Sequence, residues 1–282
     1  MFISSRLLKP RILQIRIAAK LVSFVGQSAR GRRLIVRLRS HAIARPVLDF
    51  FLGYRRTFGR FAEAQACSSR YIRAGHAHAD DIRFHTSVSD VIRESDYPVL
   101  FFLADGAGTL RTAFDLGGSV GNLFYAYRPY LKFSPQLTWM ILELPATKSA
   151  GERLAAERNE PRIVYVDSPA SASGVDLFIA SGSLHYFESS LPEILSTLAV
   201  LPRRVVVNRT PCSSREDLIT VQDNTSYLVP CKLHSRTRLL EGMRGLGYLL
   251  RGEWPVHERN LAAPLYPDYS SGHYSGFYFE QP

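Results

Sequence analysis

The sequence predicts an α/β fold: a mostly parallel, seven-stranded sheet with helices on both faces, preceded by a helical N-terminal extension. From residue 106 onward, short apolar runs alternate with stretches of helical composition, which is the pattern of βαβ units. The first run ends in a glycine-rich turn, as strands of open α/β sheets do where a ligand binds. The predicted strands are residues 111–116, 137–144, 162–167, 175–181, 203–209, 248–254 and 276–280.

Helices are predicted between these strands. Residues 122–130 follow the glycine turn, and Gly247 is expected to end the last helix because glycine readily adopts the left-handed C-terminal cap. The predicted helices are residues 122–130, 147–157, a segment that includes 191–199, and 236–246.

The region before the sheet is expected to be helical. Residues 1–45 form a basic extension, helical or poorly ordered, and residues 46–105 form a helical lead-in to the domain of residues 106–282. Within and next to the lead-in, a short helical segment is expected at 41–61. The spacing of apolar residues in 80–97 predicts an amphipathic helix that ends before Pro98.

The net charge of +10 is concentrated at the N-terminus. Residues 1–60 contain fourteen Lys or Arg and one acid, Asp49, whereas residues 61–282 contain twenty-one bases and twenty-four acids. The main domain is therefore slightly acidic, which argues against nucleic-acid binding by it.

The N-terminal segment resembles neither a signal peptide nor a membrane span, because Arg16 and Lys20 interrupt its apolar stretch at 12–25. Residues 6–39 fit a basic amphipathic helix that lies on an anionic membrane surface. The alternative is a solvated basic segment with no specific partner. Three scattered cysteines with no metal-binding spacing favour a reducing compartment. We therefore expect a cytoplasmic protein, at the inner face of the membrane if the helix binds lipid.

The glycine turn is the most informative feature of the chain. Asp115 lies near the end of the first predicted strand, and Gly117, Gly118 and Gly121 follow within six positions. Glycine tolerates positive φ and, without a Cβ, allows a ligand to approach the backbone closely. The helix that follows presents unpaired N–H groups at its start. The alternative is a set of ordinary turn glycines.

Polar residues end the next strands of the sheet. Glu143 ends the second strand, where a carboxylate can accept hydrogen bonds from a ribose diol, and Asp167 ends the third, within reach of an adenine amino group. The fourth strand ends in the segment 180–186. Because the carboxyl ends of parallel strands meet at one edge, these residues are expected to converge on one crevice. Glu143 and Asp167 could instead serve as a helix-terminal charge and a loop cap.

The ordered motifs resemble those of class I S-adenosylmethionine-dependent methyltransferases, in particular a bacterial group whose first motif reads Asp-x-Gly-Gly. The resemblance rests on 115–121, Glu-Leu-Pro at 143–145, 175–187, and Asn-Arg-Thr-Pro at 208–211, and it extends over about residues 50–282. It implies a Rossmann-like methyltransferase fold, S-adenosyl-L-methionine as the cofactor, and a small-molecule or glycan-linked acceptor. That group is associated with bacterial surface-polysaccharide functions, so a sugar hydroxyl is the first choice of acceptor. The glycine spacing departs from the commonest turn of the family, which has Gly-x-Gly at its centre.

The resemblance implies the roles of the cofactor-binding residues, whereas the acceptor side is argued from position. His185 is the candidate general base, because it follows the fourth strand at the crevice and an oxygen acceptor must lose a proton. The alternative is a packed histidine at a helix start. Substrate contacts are expected from Tyr186, Arg209, Gln222 and His234. The expected cofactor-binding residues are Asp115, Gly117, Gly118, Gly121, Glu143, Leu144, Asp167, Ser181 and Leu184.

Two other functions remain open at the level of the sequence. A domain with this fold could serve as a catalytically inactive binding or scaffold module, because fold does not fix function. A nucleotide-dependent dehydrogenase is disfavoured, since glycines at 117, 118 and 121 do not match the Gly-x-Gly-x-x-Gly fingerprint.

Overall fold

The computed structural model describes most of the chain from residue 54 onward and part of the N-terminal segment. The described residues are 21, 25, 28–39, 41, 44, 54–69, 79–223, 228–259, 261, 266–269 and 271–282.

Eleven strands and eight α-helices lie within the described residues. The strands are β1 Tyr54–Phe58, β2 Thr112–Leu116, β3 Thr138–Leu142, β4 Ile163–Val166, β5 Leu177–Ser181, β6 Arg204–Thr210, β7 Cys212–Ser213, β8 Leu218–Asp223, β9 Leu228–Ser235, β10 Leu249–Val256 and β11 Tyr274–Glu280. The helices are α1 Ala29–Arg39, α2 Phe61–Ser68, α3 Ala79–Ser87, α4 Asp96–Leu103, α5 Asn122–Tyr127, α6 Pro145–Glu157, α7 Leu191–Ser196 and α8 Arg236–Gly245.

Seven strands form the main sheet in the order β10-β11-β6-β5-β2-β3-β4. Six of them run in the same direction, and β11 runs antiparallel to both of its neighbours, β10 and β6. In the centre, Asp115 of β2 lies opposite Ile141 of β3 and Ile179 of β5. The three strands therefore end at the same edge of the sheet. Along the chain, β3 and β4 are added on one side of β2, and β5 and β6 are added on its other side. The expected seven-stranded, mostly parallel sheet is confirmed.

Both faces of the main sheet are covered, because apolar side chains alternate along the central strands. On β2, Ala113 packs into one core with Phe124 and Trp139, while Phe114 packs into the other with Phe178. The core residues of helices α5 and α6 lie in the first cluster and those of α7 and α8 in the second. Gly247 ends α8 with φ +87°, as predicted.

A second, four-stranded sheet has the order β1-β8-β9-β7. Helix α2 packs on it, with Ala64 fully buried against Val221. Strand β9 also contacts the short helical turn Leu184–Tyr186 that follows β5. This sheet therefore lies beside the carboxyl edge of the main sheet.

Two local predictions are wrong. The described part of the expected helix at 41–61 includes a strand, β1, which pairs with β8 across more than 160 residues of chain. The helix expected at 80–97 ends at Ser87, and α4 begins at Asp96 with Pro98 in its first turn. Proline is tolerated there because the first-turn N–H groups have no partner within the helix.

No helix in the described part of the chain combines the length and apolar character needed to cross a bilayer.

Candidate functional site

The glycine turn joins β2 to α5 through left-handed backbone. Gly117 and Gly121 have φ of +68° and +90°, and Ser119 between them has φ of 55°, which is unusual for a residue with a side chain. The Gly117 N–H donates to the Leu142 carbonyl over 2.9 Å. This hydrogen bond fixes the start of the turn against the end of β3.

Glu143 connects the same two segments through its side chain. The Ser119 N–H donates to Oε2 over 2.9 Å, and the Leu144 N–H donates to Oε1 over 2.8 Å. The half-buried carboxylate is therefore held against the turn in a fixed orientation.

Asp115 lies beneath the turn and is almost completely buried. The indole N–H of Trp139 donates to its Oδ2 over 3.3 Å. Burial raises the pKa of Asp115 to about 7, and the nearby carboxylate of Glu143 contributes in the same direction. A Cβ on Gly118 would lie 2.4 Å from Cγ of Asp115, so this glycine is required by the close approach of the carboxyl group.

The loop after β5 completes the edge. The Ser183 hydroxyl donates to the Leu116 carbonyl at the end of β2, and a Cβ on Gly117 would lie 2.6 Å from Cβ of Ser183. Leu184 is fully buried. The hydroxyl oxygens of Ser119 and Ser181 are shielded from solvent and have no hydrogen-bond partner among the described residues. These two hydroxyl groups lie at the carboxyl ends of β2 and β5, where a bound ligand could form hydrogen bonds with them.

Leu144 and Asp167 are more exposed to solvent than the other predicted cofactor-binding residues. Leu144 is the N-cap residue of α6 and leaves 43% of its surface exposed. The Asp167 side chain is 85% exposed, and its Oδ1 pairs with Nζ of Lys148 over 2.7 Å. Asp167 thus lies at the periphery, whereas Leu144 presents an apolar surface next to Glu143.

The proposed acceptor side contains an aromatic and polar cluster. The His185 and Tyr186 ring centroids are 4.0 Å apart, and the Tyr274 ring meets His185 edge-on at 5.9 Å. The Tyr186 hydroxyl donates to Oε1 of Gln222 over 2.8 Å, and Nε2 of Gln222 donates to the Tyr274 hydroxyl over 3.2 Å. Gln222 on β8 therefore connects the second sheet to both tyrosines. Tyr274 belongs to an aromatic-rich C-terminal segment that the sequence did not assign to the site.

Arg209 is buried in an ion pair. Its Nη1 lies 2.8 Å from Oδ1 of Asp96, which also accepts a hydrogen bond of 2.9 Å from the Tyr127 hydroxyl. Arg209 has φ of 51°, and a Cβ on Gly182 would lie 3.6 Å from its Nε. The side chain therefore reaches the loop after β5, but its charge is balanced by Asp96. Nothing in the sequence singled out Asp96, which precedes Arg209 by 113 positions.

His234 is buried in the second sheet, where it lies opposite Cys212 in the pairing of β7 and β9. Burial lowers its pKa to about 4, against a smaller opposing effect of Asp217. A backbone hydrogen bond with Leu184 connects the imidazole to the loop after β5. The imidazole is therefore neutral near pH 7.

The structure thus brings together the glycine turn, Glu143 and the loop after β5, while Asp167 lies apart from them. No protein-family model matches this sequence, and no curated protein matches it. Among solved structures, an S-adenosylmethionine-dependent methyltransferase from Mesorhizobium loti is 14% identical with a TM-score of 0.46, over 68% of this chain and 100% of that chain.

Two further solved structures are similar at the same low level. The geranyl diphosphate C-methyltransferase of Streptomyces coelicolor is 13% identical with a TM-score of 0.48, over 80% of this chain and 100% of that chain. The 1,6-didemethyltoxoflavin-N1-methyltransferase of Burkholderia thailandensis is 15% identical with a TM-score of 0.44, over 74% of this chain and 91% of that chain. Both of those structures contain S-adenosylhomocysteine. The order and directions of the seven strands give this chain the Rossmann-like α/β fold that its sequence predicted.

Proposed function

We propose that this protein is an S-adenosylmethionine-dependent methyltransferase that methylates an oxygen of a small-molecule or glycan-linked acceptor. The observation that carries the proposal is the hydrogen bond between the Ser119 N–H and Oε2 of Glu143. It holds a half-buried carboxylate against the glycine turn, at the end of the strand where the order of the sheet reverses. Open α/β sheets bind nucleotide-like ligands at this position.

The residues present fit an adenosyl cofactor in charge and polarity. The Glu143 oxygens suit a ribose diol, and the exposed surface of Leu144 suits the face of an adenine ring. The solvent-shielded hydroxyls of Ser119 and Ser181 can take up polar groups of the ligand. Asp115 would supply a carboxylate toward the cationic methionine end. Asp167 and its partner Lys148 would border the adenine edge.

Methyl transfer requires the protein to position the acceptor atom against the methyl group and to provide a proton acceptor. When bound, S-adenosylmethionine supplies an electrophilic methyl group. His185 is the proposed general base, because it follows β5 at the carboxyl edge and is enclosed by the rings of Tyr186 and Tyr274. Arg209, Gln222 and His234 would contact or orient the acceptor from the second sheet and from β6. The three cysteines form no disulfide in the structure, which fits the cytoplasmic location that we propose.

Calorimetric titration with S-adenosylhomocysteine tests the cofactor part of the proposal. We expect binding by the intact protein in the micromolar range, lost in Glu143→Ala and in Asp115→Ala but retained in Glu157→Ala, which removes an exposed carboxylate from the end of α6. A folded wild-type protein that does not bind the nucleoside would favour the scaffold alternative. Binding of NAD instead would favour a dehydrogenase.

Methyl transfer to a set of sugars and small hydroxylated compounds tests the base. His185→Gln is expected to lower the rate by about a hundredfold or more, as removal of a general base does, while the affinity for S-adenosylhomocysteine stays the same. Parallel loss of affinity and rate would give His185 a structural role.

A further inference from the structure

The described residues before position 45 have an unusual surface. Of the five large aliphatic residues there whose side chains are described, four are exposed: Leu21, Val25, Leu34 and Leu38, at 59%, 41%, 53% and 41% of their surface. Ile35 is the exception, with 3%. In the main domain such residues are mostly buried in the two cores.

Helix α1 organises part of this surface. Ser28 caps the helix, since its Oγ accepts the Gly31 N–H over 2.9 Å. At 100° per residue, Gly31 and Ile35 lie on one side, which is buried, and Leu34 and Leu38 lie next to that side, one turn apart. Arg30 and Arg33 continue around the helix, and both are exposed. The helix therefore carries an exposed apolar stripe that borders a basic face.

We propose that α1 binds the surface of an anionic lipid bilayer, with Leu34 and Leu38 in the acyl boundary and the arginines at the headgroups. Charge complementarity supports this occupant, because no acidic residue precedes Asp49. A nucleic acid would bind the arginines but would leave Leu34 and Leu38 exposed to water. The apolar stripe therefore favours a lipid bilayer over a nucleic acid as the binding partner. This inference is independent of the proposed methyl transfer.

The test is flotation of the full-length protein with vesicles of phosphatidylcholine, with and without phosphatidylglycerol. We expect binding only when phosphatidylglycerol is present. Arg30→Gln/Arg33→Gln should weaken it about 25-fold, because each basic residue near an anionic surface contributes about a fivefold factor. Leu34→Asn/Leu38→Asn should weaken it at least about tenfold, because the apolar stripe no longer enters the boundary.

Matched variants elsewhere on the surface serve as controls. Arg153→Gln/Arg244→Gln removes two exposed arginines of α6 and α8, and Leu249→Asn/Leu250→Asn removes two exposed leucines of β10. Neither should change vesicle binding, and all four double variants should keep the wild-type unfolding temperature.

Three results would overturn the proposal. The first is equal binding to both vesicle types, or to neither. The second is full binding by the leucine variant together with competition by a single-stranded RNA, which would assign the helix to nucleic acid. The third is a dimer, seen in solution without lipid, that the leucine variant dissociates, because a second copy would then cover the stripe.

Discussion

The backbone N–H of Ser119 and the Oε2 atom of Glu143 are joined by a hydrogen bond of 2.9 Å, although the two residues belong to loops that follow different strands. The second oxygen of Glu143 is occupied by the Leu144 N–H. A carboxylate suits this position because both of its oxygens accept, whereas an amide would turn an N–H₂ group toward one of the two donors.

Glu143→Gln is therefore expected to weaken binding of S-adenosylhomocysteine about ten- to a hundredfold, the range for hydrogen bonds that involve a charged group. Calorimetry measures the affinity, and thermal unfolding should show a modest loss of stability, because the amide leaves one of the two backbone donors without an acceptor. Glu157→Gln is the control. An unaltered affinity in Glu143→Gln would mean that this carboxylate does not contact the ligand.

Gly118→Ala should destabilise the fold by about 1–3 kcal/mol, because the new methyl group would overlap the buried carboxyl group of Asp115. Chemical denaturation measures the change in the free energy of unfolding. Gly245→Ala is the matched control: a Cβ there meets no atom within 4 Å, so the variant should be neutral or slightly more stable. Equal stability of both variants would contradict the packing described beneath the turn.

The stability of the protein should depend on pH through Asp115. The folded protein holds this proton up to about pH 7, whereas an unfolded aspartate releases it near pH 4. Folding therefore binds a proton between these values, and the free energy of unfolding should fall as pH rises, by up to about 1.4 kcal/mol per unit from this group. Asp115→Asn, a neutral isostere, should lack this contribution.

Denaturation curves at several pH values check this prediction. The stability of Asp115→Asn relative to wild type should increase from about pH 4 to about pH 7 and then level off. A constant difference between the two proteins would show that Asp115 ionises normally.

The buried pair of Asp96 and Arg209 should be sensitive to the loss of one partner. Asp96→Ala is expected to cost about 3–5 kcal/mol, because it leaves the guanidinium buried without its counter-charge. The double variant Asp96→Leu/Arg209→Met should recover a large part of this loss. Asp268→Ala breaks the exposed pair with Arg215 and should cost at most about 1 kcal/mol. Similar costs at both pairs, measured by denaturation, would contradict this view.

The main sheet could be predicted because its strands are short, buried and locally marked. The run that ends at Asp115 is apolar, and the glycines after it have few structural alternatives, so the first strand and its turn were found within one residue. Glu143 was predicted at the strand end for the same reason, since parallel strands of similar length end at the same edge.

The second sheet could not be predicted in this way, because its pairing is non-local. Strand β1 pairs with β8 far along the chain, and β9 contains Pro230, which argues against a strand when only the sequence is considered. Asp96 illustrates the same difficulty in the site. The sequence predicts that Asp96 lies near the end of a helix, two residues before Pro98, and only the fold brings Arg209 to it.

The chain contains two tryptophans. The indole N–H group of each one donates to a polar residue of the main sheet, on β2 or on β6. Trp139 donates to Asp115, and Trp254 donates to Asn208, the neighbour of Arg209, over 3.1 Å. Both rings are buried, so their ultraviolet emission responds to nearby charge rather than to solvent. The protein therefore carries two intrinsic fluorophores. A nucleoside that binds beside Asp115 should change the tryptophan fluorescence of the protein without any added dye.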